Sequence, residues 1–236
     1  TIDYGPCAFM DAYNPETVFS SIDHQGRYAY AHQPSIAHWN LARFGETLLP
    51  LLAEDSDAAL AIANEVLPTF RGHYVEALIG GLRAKLGLTT EQEGDSELAQ
   101  AFLNALTEGQ ADFTLAFRRL GDAAADPVAD STVRGLFENK PEAFDEWAVR
   151  WRQRMAAEPM DGAARKAAMD AVNPIYIPRN HRVEAALTAA AEREDYAPFE
   201  ELLTVLAKPY EARPEFAAYE EPPPPDQRAY RTFCGT

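Results

Sequence analysis

From Ile36 onward, apolar residues recur at roughly the 3.6-residue period of an amphipathic helix. Ile36, Trp39, Phe44, Leu48, Leu51 and Leu52 form the first stripe, interrupted by Pro50. The same period predicts helices over residues 58–67, 75–86, 98–106, 113–120, 141–155, 165–172, 183–191 and 198–206. Asp95 or Ser96 is placed to cap the third of these eight, and Pro141 sits where a helix tolerates proline, in its first turn. Trp39, Trp147 and Trp151 lie at helical spacing and read as core. Alternation of Val, Ile and Thr is almost absent and no internal repeat is visible, so the body reads as all-α.

The two ends break this pattern. Before residue 36, Gly5-Pro6, Asn14-Pro15, Gly26 and Gln33-Pro34 interrupt the chain every few residues, with Tyr4, Phe9, Tyr13, Phe19, Tyr28 and Tyr30 between them. A loop this long and this aromatic is usually functional or docked. After residue 208 come Pro214 and four consecutive prolines, 222–225, which favour an extended strap over core. Three parts follow: a loop-rich segment 1–35, a helical lobe 36–208 and a Pro-rich tail 209–236.

Charge narrows the partners. Acidic residues outnumber basic ones 37 to 21, a net charge of −16, with no basic cluster to offset it. Phosphate backbones and anionic bilayers repel such a surface, so neither nucleic acid nor membrane is an expected partner. No apolar run approaches the ~18 residues of a membrane span. Two cysteines in 236 residues make no disulfide framework and point to a reducing compartment. The chain opens on Thr1 without a basic or Arg-rich leader, which fits a cytoplasmic protein and also an interior point of a longer one.

Candidate chemistry starts at Asp3-Tyr4-Gly5, which has the form of the Asp-Phe-Gly element of kinase-like folds. There an Asp holds Mg²⁺ against ATP phosphates and the Gly lets the backbone turn away. Taken alone the tripeptide is a weak signal and reads first as an Asp-Gly-type turn near a terminus. His24, His32 and His38 match no ligand spacing and read as hydrogen-bonded loop and helix-start residues. Asp11 and Asp23 read as turn or capping carboxylates, and Arg27 and Arg179 as structural partners of acidic groups. Residues 91–97 lack the Asp/Asn pattern of a calcium loop and read as a solvated loop.

The neighbours of the tripeptide add more. Residues 3–13, Asp-Tyr-Gly-Pro-Cys-Ala-Phe-Met-Asp-Ala-Tyr, with residues 23–28, Asp-His-Gln-Gly-Arg-Tyr, resemble the selenoprotein O family of kinase-like protein adenylyltransferases. Gln33-Pro34 with Trp39-Asn40-Leu41, residues 82–88, Asp112-Phe113-Thr114 with Phe117-Arg118, Asn173-Pro174, Pro178-Arg179-Asn180 and the closing Phe233-Cys234-Gly235-Thr236 are similar to that family's C-terminal half, in order.

The resemblance implies the helical C-terminal lobe of a protein-kinase-like fold. It implies an enzyme that binds ATP in an orientation inverted from ordinary kinases and transfers AMP to Ser, Thr or Tyr hydroxyls of proteins, with Mg²⁺ or Mn²⁺. Asp3 matches the family's metal- and ATP-contacting Asp. The glycine-rich turn, the strand Lys with its Glu, and the catalytic-loop Asp and Asn are not found here; Lys85, Lys140, Lys166 and Lys208 all lie in helical or Pro-flanked contexts. Those parts are expected upstream of Thr1, so this chain carries no catalytic residue and is expected to be inactive without that lobe.

Cys7 and Cys234 are implied as a reversible redox pair, because the family's C-terminal Cys is selenocysteine in some members. Two unrelated thiols remain the other reading. The family is bacterial and mitochondrial, so a eukaryotic version would be mitochondrial. Two further classes stay open: a freestanding helical binding module, and a thiol-based redox protein. An exposed apolar face marks the first reading, a sealed polar surface the second, and a depressed cysteine pKa the third.

Overall fold

The computed structural model describes residues 8–224. Among these residues there is no strand; one isolated antiparallel bridge joins Ala12 to Asp112. Ten α-helices run in order: α1 Gln33–Leu52, α2 Ser56–Val66, α3 Thr69–Lys85, α4 Asp95–Gly109, α5 Phe113–Ala125, α6 Asp130–Arg134, α7 Pro141–Met155, α8 Gly162–Val172, α9 Asn180–Arg193 and α10 Ala197–Leu206. The all-α expectation holds, and Pro141 opens α7.

Helix starts are written in short polar residues. Asp55, Asp112 and Asp161 each sit just before a helix and accept from a first-turn backbone N–H at 2.8 Å, satisfying donors that the helix cannot. At α4 the expected cap fails. Gly94, at φ +91°, is the N-cap, and Asp95 turns inward. Its carboxylate accepts from Gln92 N at 2.9 Å and meets Arg154 Nε at 2.6 Å. Arg154 also reaches Glu158 at 2.6 Å and the Thr90 carbonyl at 2.7 Å. The stretch 91–97 is solvent-exposed, as the sequence reads, except at Asp95, whose buried carboxylate clamps it to α7.

The core is built where α4 packs on α7 and α5 on α8. Helix α5 is the most two-sided: Leu115, Ala116, Phe117, Leu120 and Ala123 all turn inward. Phe102 meets Phe117 edge-on at 5.0 Å, and Trp147 stacks on Trp151 at 5.3 Å. Both buried indoles are satisfied, Trp147 by the Leu98 carbonyl at 3.0 Å and Trp151 by that of Leu86 at 2.9 Å. Trp39 departs from this reading. It stands 47% exposed on α1, with Arg27 lying 4.7 Å over its ring. A second, smaller cluster of Ile175, Tyr176 and Val205 seats α10, and α9 packs on α10.

Helix α1 begins at Gln33 rather than Ile36, because Pro34 fits its first turn. The short α6 has no apolar period long enough to be seen in sequence. After α10, Tyr176 Oη accepts from Arg213 N at 2.9 Å, and residues Pro214–Tyr219 form a 3-10 turn.

Candidate functional site

Asp3, Cys7 and Cys234 lie outside the described residues. The segment from Ala8 onward is held by residues that carry the family resemblance.

Asn180, at the start of α9, clamps Phe9 with both ends of its amide: Oδ1 accepts from Phe9 N at 3.2 Å and Nδ2 donates to the Phe9 carbonyl at 2.8 Å. One residue earlier, Arg179 is 1% exposed. Its Nη1 donates to Asp11 Oδ1 and to Asp112 Oδ2, both at 2.6 Å, and its Nη2 donates to the Glu220 carbonyl at 2.9 Å. One guanidinium thus ties the N-terminal segment, the α5 cap and the C-terminal strap together. Burial pushes the Asp11 carboxyl above its ordinary value, and the hydrogen bond and charge of Arg179 oppose that rise without cancelling it.

Backbone and rings complete the hold. Phe113 N donates to the Asp11 carbonyl at 2.8 Å and Tyr13 N to that of Ala111 at 3.0 Å. Tyr13 stacks on Phe113 at 5.4 Å and meets Tyr30 edge-on at 5.8 Å. Tyr13 and Tyr30 thus form the packed centre of the loop, while Phe9 and Tyr28 stand exposed. Asp23 closes a turn by accepting from the N–H groups of Arg27 and Tyr28, each at 2.8 Å.

Beside this anchor lies an apolar cavity of about 530 Å³, lined by Phe9, Met10, Phe19, Phe113, Phe117 and Lys85 among others. Lys85 ends α3 and donates to the Val172 carbonyl and to Asn173 Oδ1, both at 3.2 Å. Burial holds its ammonium below the usual lysine range. Asn173 is fully buried and returns a bond to the Lys85 carbonyl at 3.0 Å, while Arg118 donates to the Asn173 carbonyl at 3.0 Å. Residues as far apart as Ala8 and Ile177, 169 positions, therefore line one cavity.

Other sequence candidates fall elsewhere. His32 lies 2.7 Å from the Gly26 carbonyl, and the His38 ring packs 5.9 Å from Phe70. Arg27 stacks on Trp39 and Tyr28 instead of an acid. Lys85 and Asn180 were not singled out individually by sequence; the motifs containing them were the only signal. No group of three His, Cys, Asp or Glu among the described residues is placed to hold a metal ion. A hard divalent cation needs several oxygen ligands. The donors described here do not fit one, and Asp3 adds a single carboxylate.

These features define a helical scaffold that fixes the segment leading away from an Asp-Tyr-Gly element, and the chain belongs to the protein adenylyltransferase SelO family, whose model matches residues 1–207. It is 60% identical over all 236 residues to proteins named protein nucleotidyltransferase YdiU from Rhodopseudomonas palustris (strain BisB5) and from Bradyrhizobium diazoefficiens. A third, from Bradyrhizobium sp. (strain ORS 278), is 59% identical. The chain spans about half the length of these relatives, 48% in each case. Among the described residues no helix is long and apolar enough to cross a membrane.

Proposed function

We propose that this chain is the C-terminal half of a bacterial cytoplasmic protein adenylyltransferase with a protein-kinase-like fold. The observation that carries the reading is the 60% identity over all 236 residues to proteins named nucleotidyltransferase that are about twice as long. In this reading a Ser, Thr or Tyr hydroxyl of a substrate protein attacks the α-phosphorus of ATP. A new P–O bond to the protein forms, the bond to the β-phosphate oxygen breaks, and pyrophosphate leaves.

Asp3 is the only ligand this chain offers to ATP and its Mg²⁺ or Mn²⁺. The remaining ligands and the catalytic-loop Asp come from the nucleotide-binding lobe upstream of Thr1, so the chain alone is inactive. The described residues have a positioning task. Arg179 and Asn180 pin residues 9 and 11, a few positions after the Asp-Tyr-Gly element.

The experiment compares two labels on the full-length protein with substrate proteins present. Label from the α-phosphate of ATP should appear on protein, and label from the γ-phosphate should not. Transfer of the γ-label instead would make the protein a kinase and overturn the reading. The pairing of Cys7 with Cys234 belongs to the same proposal; peptide mapping that finds both as free thiols after mild oxidation removes it.

A further inference from the structure

Ala12 stands opposite Asp112 in the one antiparallel bridge. The two hydrogen bonds that frame this pair run from Phe113 N to the Asp11 carbonyl and from Tyr13 N to the Ala111 carbonyl. In a pair framed this way, the N–H and C=O of the central residue point away from its partner. Ala12 is exposed, and among the described residues neither its N–H nor its carbonyl has a hydrogen-bond partner. The backbone of Met10 is likewise without one. The segment is thus held from one side by residues 111–113 and presents open backbone groups on the other. Such groups need partners, and an open edge is a template for pairing with another extended chain.

A groove of about 430 Å³ lies along this segment, with Ala12 in its lining and apolar walls from Val18, Leu136, Pro222 and Pro223. Its charged lining is Asp11, Asp112 and Glu138, and among the described residues no Lys, Arg or His lines it. Arg179 pairs with the first two, so three carboxylates meet one guanidinium and the groove stays negative. The net charge of −16 adds to that field. An extended chain bearing Lys or Arg suits both features: its backbone pairs with the open edge, and its cations meet the carboxylates. We propose that this groove docks an extended, basic segment of a polypeptide substrate, paired through its backbone to Ala12. The proposal rests on the reading of the protein as a protein adenylyltransferase, and it names the kind of sequence that substrates present to it.

Amide hydrogen exchange of the full-length protein, resolved to single residues, tests it with a short synthetic peptide that alternates Lys with Thr. The Ala12 amide should exchange freely in the protein alone and several-fold more slowly with the peptide bound. A counterpart with Glu in place of Lys, and the Lys peptide N-methylated at every residue, should leave the exchange unchanged. An Ala12 amide already slow in the free protein would mean that the protein's own chain covers the edge, and would overturn the proposal. Slowing by either counterpart, or by no peptide at all, would overturn it as well. Transfer from α-labelled ATP to substrate proteins, measured on the same sample, separates the two claims. Slowing without AMP transfer leaves the docking groove standing and removes the adenylyltransferase reading, and transfer without slowing does the reverse.

Discussion

The guanidinium of Arg179 donates to the carboxylate of Asp11 at 2.6 Å across 168 positions of sequence, with Arg179 1% exposed. The contact joins the start of α9 to the segment that follows the Asp-Tyr-Gly element. It shares its donor with Asp112, so removing Arg179 strands two carboxylates at once.

Arg179→Ala should therefore cost about 3–5 kcal/mol in urea or thermal unfolding, the range for breaking a buried ion pair from one side. Arg179→Lys should recover only part of this, because an ammonium lacks the fork that reaches Asp11, Asp112 and the Glu220 carbonyl together. Limited proteolysis should then cut first within residues 9–31. An Arg179→Ala protein as stable as the parent would show that the three-way contact carries little.

Acid stability should report Glu158. Burial pushes its carboxyl up, but hydrogen bonds from Thr89, Thr90 and Arg154 outweigh burial and hold it at about 2, against an ordinary 4.5. Between those values the unfolded chain binds the proton and the folded one does not. Stability from this group is complete above the unfolded value and is lost as pH falls from 4.5 toward 2. The contribution is about 3 kcal/mol at neutral pH. Urea unfolding between pH 2.5 and 6 should show a shallower decline for Glu158→Gln than for the parent. Parallel curves would contradict the assignment.

Gly87 tests the junction between α3 and α8. Its φ is +74°, and a Cβ there would lie 2.6 Å from Met169 Sδ and 2.9 Å from Arg165 Cγ. Gly87→Ala combines a backbone penalty with a collision, so it should cost more than about 1 kcal/mol. A melting temperature unchanged by the substitution would refute the close approach.

Much of the helical plan was legible because its period is local. The 141–155 stripe with Pro141 gives α7 with its observed ends, and Trp147 and Trp151 are core as read. Trp39 lies on an equally regular stripe and is exposed, because periodicity shows that a helix has an apolar face and not what meets it. Asp95 was read as a cap or loop carboxylate, and its true partner, Arg154, lies 59 positions away. The same distance blindness hides the Arg179–Asp11 pair: the sequence reads Arg179 as a partner of acidic groups and Asp11 as a turn or capping carboxylate. Conversely, the motifs that carried the resemblance do converge: Met10, Gln33, Lys85, Phe113, Phe117 and Pro174 line one cavity, which spacing alone could not show.

The most direct test of the central claim is transfer of α-labelled AMP to protein by the full-length protein, its Asp3→Ala variant and this chain alone, in Mg²⁺ and in Mn²⁺. The account predicts label with the full-length protein, none with Asp3→Ala and none with this chain alone. Metal-dependent transfer by this chain alone, or undiminished transfer by Asp3→Ala, would contradict it.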